Sequence, residues 1–309
     1  MLPWPHPLQG FDQAKQPGSV NSAINAFDHV QLRVSETGGW WRRTRHCLLS
    51  IGRMAVLRLI ELDQGYRTRV QEDGVGSVVL LIHGTPLDAR AWDPLVPLLR
   101  DRRRIVRYDA RGHGTARATP IPRSYGPLAD DVAALLDALD VPRAHVVGHS
   151  WGGQVAQRFA LDHPDRLSRM SLLCTRSSPF PAFRDAATSM RATGRVDPEP
   201  ALRRWFSPSA LAGPHGLAEQ VRGWLREAPV ASWAGALDLL AEFDVLSDLP
   251  QVSVPVDVVC AELDQVATPE HMSKISAALP LGRWVLLQGA RHLVPLDQPA
   301  RVAEAILTG

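Results

Sequence analysis

The sequence predicts an α/β fold: a mainly parallel, doubly wound sheet covered by helices on both faces, with a helical cap inserted into it. Three observations predict it. Short unbroken apolar runs, such as Val78-Val79-Leu80-Leu81-Ile82, have the composition of strands buried on both faces. From about Gly65 these runs alternate with stretches whose apolar residues recur at helical spacing, the signature of parallel strands joined by crossover helices. The alternation lapses between about Arg176 and Leu249, where prolines and aromatic residues separate several helix-like segments. An insertion over the carboxyl edge of the sheet is the simplest account.

In chain order, residues 1 to about 41 are rich in Pro, Gly, Gln and Asn without a sustained period, and are expected to form an irregular arm. Arg42-Arg43-Thr44-Arg45 is read as a solvated helix start. The apolar stretch Cys47 to Ile60, interrupted by Arg53 and Arg58, is too short to span a bilayer and is expected to be an amphipathic helix packing on the main body. A contact with an interface or a second copy, giving a homodimer, is its alternative use. Next come a strand at Val78–Ile82, helical spacing at Trp92, Leu95, Val96, Leu98 and Leu99, and a strand at Ile105–Tyr108. Leu128–Leu139 reads as a helix broken by Val141-Pro142, Ala144–Val147 as a buried strand and Gln154–Leu161 as a helix. Ser171–Cys174, Val254–Cys260 and Trp284–Leu287 are further strands, and Ala300–Leu307 closes the chain as a helix. The expected division is an arm and helix over 1–62, a core over 63–175 and 249–309, and a cap over 176–248.

Bulk properties exclude several classes of function. At 309 residues and net charge +2, the chain can bury a large core and carries no global field for nucleic acid. The three cysteines, Cys47, Cys174 and Cys260, are far apart and read as small buried hydrophobes, not as disulfides or a metal site. A reducing cytoplasmic setting is the expectation, since MLPWPHPLQG does not have the pattern of a secretory signal. No cofactor, metal or membrane span is expected.

The chemistry concentrates in Gly148-His149-Ser150-Trp151-Gly152. A sharp strand-to-helix reversal crowds the positions two residues either side of its centre, and Gly148 and Gly152 occupy those positions around Ser150. An ordinary glycine-rich loop or a phosphate cradle would read alike, so other strand ends decide. Ligands of such sheets sit beyond the carboxyl ends of the strands. There the chain offers His83-Gly84-Thr85-Pro86, Ser150, Glu262 with Asp264, and Ala290-Arg291-His292. A serine hydroxyl needs an imidazole to take its proton and a carboxylate to orient that imidazole. Ser150, Asp264 and His292 supply those roles in the order Ser, Asp, His. Glu262 is the alternative orienter, with Asp264 then a turn residue or helix cap. The backbone N–H groups of Trp151 and Thr85 are the expected oxyanion donors, Pro86 having none, while His83 and His149 are expected to brace loops. Within the insertion, Phe180, Phe183, Trp205, Trp224 and Trp233 either line an apolar substrate pocket or build the cap's own core.

These landmarks, with Tyr108-Asp109-Ala110-Arg111-Gly112-His113-Gly114 and Thr268-Pro269, resemble the α/β-hydrolase fold family from roughly Gly65 onward. Asp88-Ala89-Arg90-Ala91-Trp92-Asp93-Pro94, Leu135-Leu136-Asp137-Ala138-Leu139, Arg166-Leu167 and Arg204-Trp205-Phe206 are similar to the 3-oxoadipate enol-lactonase group. His83 and His149-Ser150-Trp151 are more like general esterases, and the N-terminal arm is absent from the compact lactonases. The resemblance implies a cofactor-independent serine hydrolase acting on a small-molecule ester or lactone through an acyl-enzyme. Carbon–carbon bond hydrolysis, a cofactor-free perhydrolase or haloperoxidase activity, and a slowly turning-over ligand receptor are the alternatives on the same residues.

Overall fold

A computed structural model describes the backbone of residues 33–35, 46–51 and 55, and residues 56–62, 65–212 and 216–308 in full. The strands are β1 (Arg33–Ser35), β2 (His46–Ile51), β3 (Ala55–Glu61), β4 (Arg67–Asp73), β5 (Val78–Ile82), β6 (Arg104–Tyr108), β7 (Ala144–His149), β8 (Leu167–Leu173), β9 (Val256–Ala261) and β10 (Gly282–Leu287). The helices are α1 (Val96–Leu99), α2 (Gly126–Ala138), α3 (Trp151–Asp162), α4 (Ala182–Thr193), α5 (Glu199–Trp205), α6 (Pro208–Ala212), α7 (Leu217–Glu227), α8 (Val230–Glu242), α9 (Pro269–Ala278), α10 (Val294–Asp297) and α11 (Pro299–Leu307).

One sheet holds all ten strands in the order β1-β2-β3-β4-β6-β5-β7-β8-β9-β10. From β6 to β10 every neighbouring pair is parallel, and β1 to β4 extend that block as antiparallel strands. Every residue of β5, β7 and β9 is buried, as strands at the centre of a sheet covered on both faces must be, with His145, His149 and Asp257 the polar side chains among them. The chain leaves β5 for β6 on one side and returns to β7 on the other, so the order reverses between β5 and β7. A crevice opens at such a reversal, beyond the carboxyl ends of the strands. Thr85 and Ser150 follow those two strands.

The helix expected over Cys47–Ile60 is not there: β2 and β3 occupy that stretch as an antiparallel pair. Within β3, Val56, Arg58 and Ile60 share one face by the two-residue period. Arg58 pairs with Val70 in register and reaches diagonally to Glu72, its Nε 2.6 Å from the carboxylate. A cross-strand ion pair thus engages an arginine that, at helical spacing, reads as the polar side of an amphipathic helix. Arg42 to Arg45 lie outside the described residues.

Helices α4 to α8 form the cap. They lie between β8 and β9, over the edge where Ser150 sits, and α4 packs against α8. No helix among the described residues is long and apolar enough to cross a membrane.

Candidate active site

Ser150 stands between β7 and α3 at φ 52°, ψ −118°, a conformation costly for any residue bearing a side chain. Close approach explains the flanking glycines. A Cβ on Gly148 would lie 2.3 Å from the Gly152 carbonyl oxygen, and one on Gly152 would lie 2.3 Å from the Ile82 oxygen. The strained residue is pinned from two sides. Its N–H donates to the Leu173 carbonyl at 2.9 Å, and its own carbonyl accepts from Thr175 Oγ1 at 2.6 Å.

His292, 3% exposed, arrives from the loop after β10 and places Nε2 3.0 Å from Ser150 Oγ. Its Nδ1 lies 2.8 Å from Asp264 Oδ2. The second carboxylate oxygen, Oδ1, accepts from the Val266 and Ala267 N–H groups at 2.7 and 3.1 Å, which fixes the plane of the acid. An acceptor-only carboxylate demands the proton on Nδ1, leaving the Nε2 lone pair for the serine hydroxyl. Glu262, the other candidate orienter, is directed elsewhere and accepts from the Gly289 N–H at 2.7 Å.

Of the two expected oxyanion donors, Trp151 follows Ser150 directly and Thr85 lines the same cavity. Trp151 is the first residue of α3, so its N–H has no acceptor within the helix. Thr85, whose side chain lines the same cavity as Ser150, follows β5 directly beyond His83-Gly84. The segment Asp109 to Gly114 braces this loop from below. Asp109 accepts from the Ala89 N–H at 3.0 Å and the Thr115 N–H at 2.7 Å, and His83 Nε2 accepts from the Ala110 N–H at 3.1 Å. His113 Nδ1–H donates to the Arg111 carbonyl at 2.8 Å, so its Nε2 accepts from the Thr85 hydroxyl at 2.9 Å. That hold on Thr85 is not legible in the residue types alone, although His113 sits in the Tyr108–Gly114 motif. Likewise His149 donates from Nε2 to the His292 carbonyl at 2.9 Å. Burial is the main cause that pushes both His113 and His149 down to about 3, so both are neutral braces at ordinary pH.

Above Ser150 and His292 lies a cavity of about 230 Å³ beneath the cap. Phe180, Phe183, Trp205 and Trp233 line it with Met190 and Leu237, and Asp197, Arg204 and Gln265 add polar groups. Phe180 and Phe183 meet edge to face at 4.9 Å, and the Trp205 ring lies 6.2 Å from that of His292. Trp224 does not belong with them. Its ring lies under the Arg90 guanidinium at 4.8 Å, in a separate, more polar cavity beside Pro86 and Asp88. The reason is the placement of α7, whose buried Trp224 faces the loop after β5, whereas α4, α5 and α8 roof the serine. Trp233 borders both cavities.

A profile described as the alpha/beta hydrolase family matches residues 79–305. The chain is 30% identical over 253 residues to a pimeloyl-[acyl-carrier protein] methyl ester esterase of Aeromonas hydrophila, covering 77% of this chain and 96% of that protein. It is 28% identical over 219 residues to 3-oxoadipate enol-lactonase 2 of Acinetobacter baylyi, covering 70% of this chain and 81% of that one. Among solved structures, the enol-lactonase of Burkholderia xenovorans superposes with a TM-score of 0.72 at 25% identity, over 79% of this chain and 96% of that one. With the matched profile spanning β5 to α11 and the fold built as above, the chain belongs to the alpha/beta hydrolase family.

Proposed function

We propose that the protein is a serine hydrolase that cleaves a carboxylic ester or lactone of a small molecule through an acyl-enzyme. The observation that carries the reading is the hydrogen-bonded line from Ser150 Oγ through His292 to Asp264, opening on an apolar cavity. In this reading His292 Nε2 takes the Ser150 proton as Oγ attacks the carbonyl carbon. The Asp264 carboxylate stabilises the imidazolium that forms, and the N–H groups of Thr85 and Trp151 receive the developing oxyanion. His292 then returns the proton to the leaving oxygen. Water, activated by the same imidazole, releases the acid and restores the serine.

The cavity supports a small, largely apolar acyl group. Its 230 Å³ is below the roughly 300–1,000 Å³ of pockets that take drug-sized ligands. Reaction with a fluorophosphonate should attach the phosphonyl group to Ser150, read by peptide mass spectrometry. Ser150→Ala should lose both labelling and ester turnover, the latter by about 10⁶-fold in kcat. Undiminished labelling and turnover in that variant would overturn the proposal.

A further inference from the structure

Arg176 lies just beyond Thr175, and its side chain is buried although no carboxylate among the described residues forms an ion pair with it. The residue is 4% exposed, and its backbone carbonyl accepts from Gln157 Nε2 at 3.0 Å. Buried guanidinium groups are costly unless paired. Here neutral groups hold the side chain: Nη1 donates to the Val266 carbonyl at 3.1 Å and Nη2 to His271 Nε2 at 2.8 Å. Counting protons fixes the second bond. A guanidinium can only donate, so His271 Nε2 accepts from Nη2 and Nδ1 carries the proton, facing Thr268 Oγ1 at 2.7 Å, while Arg176 Nη1 also lies 3.2 Å from that Nδ1. The guanidinium carbon lies over the Phe180 ring, 4.5 Å from its centroid. Nε is buried and has no hydrogen-bond partner among the described residues. Burial lowers the tendency of the group to hold its charge, and Asp264 is the carboxylate that opposes this.

Val266 is the joint between this cation and the proposed catalytic acid. Its N–H donates to Asp264 Oδ1 and its carbonyl accepts from Arg176, so a single residue is held from both ends. Phe180 and Val266 also line the cavity over Ser150. A planar fork that donates in two directions while lying over a ring is something lysine cannot reproduce.

We infer that Arg176 is a positioning residue of the active site: its guanidinium fixes the Val266–Ala267 peptide, whose N–H donates to Asp264 Oδ1, and so holds the Asp264 carboxylate, while its contact with the Phe180 ring ties the cavity wall to the same point. The inference rests on the serine hydrolase reading. It assigns Arg176 no contact with substrate.

The test compares full-length wild type, Arg176→Met and Arg176→Lys. Methionine keeps an unbranched stem and removes the donors. Removing the guanidinium leaves the Val266 carbonyl and His271 Nε2 without that donor, so Arg176→Met should melt several degrees below wild type and is assayed at a temperature where it stays folded. With p-nitrophenyl acetate, whose acyl group is too short to need the Phe180 wall, its kcat should fall about 10- to 100-fold with KM nearly unchanged. Lysine should restore part of the loss, since one donor can again reach Val266. The downfield proton resonance of the His292 Nδ1–H, which needs no turnover, should shift or broaden in Arg176→Met. Wild-type kcat together with an unmoved resonance would overturn the inference, as would a fall in kcat matched by an equal loss of folded protein. If the methionine variant does not fold, Arg176→Lys carries the comparison, and wild-type kcat and resonance in it would refute the role. Failure of the parent reading is seen separately, as turnover that survives Ser150→Ala.

Discussion

Replacing Gly148 by alanine tests the turn that presents the serine without touching any reacting group. The added methyl group would lie 2.3 Å from the Gly152 oxygen and 2.7 Å from the Gly153 Cα, all backbone atoms with no flexible side chain to yield. The start of α3 must therefore move away from β7 by at least 0.7 Å before the shortest contact reaches even 3.0 Å. Strain of this kind in a packed interior costs about 1–3 kcal/mol, a fall in Tm of roughly 2–10 °C for a domain of this size. Catalysis should suffer more than stability. Ser150 Oγ rides on the same turn, 3.0 Å from His292 Nε2, and has little length to lose before the hydrogen bond breaks. A misplacement of about 1 Å typically costs on the order of 100-fold, so kcat/KM toward a short p-nitrophenyl ester should drop by about that factor at a temperature where the variant stays folded. Thermal unfolding followed by circular dichroism and steady-state kinetics on the same preparation give both numbers. Wild-type kcat/KM in Gly148→Ala would show that the bare glycine is not what holds the nucleophile, and would refute the crowding argument.

Two further outcomes follow from the buried histidines and the cap. Burial, the main cause in each case, pushes His113, His145 and His149 down to about 3 in the folded chain, whereas the unfolded chain titrates near 6.5. Unfolding then takes up protons, so stability is full above about pH 6.5 and falls as pH drops toward 3, by up to about 1.4 kcal/mol per pH unit for each histidine. His145→Gln, at the opposite end of β7 from Ser150, should flatten that dependence by about one proton; urea midpoints between pH 7 and 5 measure it, and an unchanged slope would count against the account. Phe183→Ala removes a half-buried apolar wall of the serine's cavity and should raise KM for a hexanoyl ester by about tenfold, from the roughly 1.5 kcal/mol at the lower end of what a buried apolar side chain contributes. Trp224→Ala, in the other cavity, should leave that KM within about twofold; the reverse ranking would mean that the acyl group is held elsewhere.

What was legible in the sequence was local, and what was not depended on partners distant in the chain. The strand ends carrying Thr85, Ser150, Asp264 and His292 could be read because each follows a short apolar run, and a parallel sheet gathers such ends at one edge. The stretch from Cys47 to Ile60 was misread because its spacing suits either structure, and the deciding contact, Arg58 with Glu72, is made across strands. Trp224 looked like the other cap aromatics because composition does not say which face of the cap a helix turns toward the serine. Arg176 carries no sequence signal at all. Its role rests on a carbonyl at Val266 and an imidazole at His271, groups whose nearness only the folded chain reveals.

In the proposed mechanism the nucleophile, Ser150, follows the central strand β7, while Asp264 and His292 follow β9 and β10 at one margin of the sheet, with Ser150 and His292 142 positions apart. A chain leaving the ribosome therefore exposes its reactive turn long before the groups that would activate it are synthesised. Under that proposal, acylation of an unfinished chain is disfavoured by the order of translation itself, and a reagent that marks the activated hydroxyl should count chains that have reached His292.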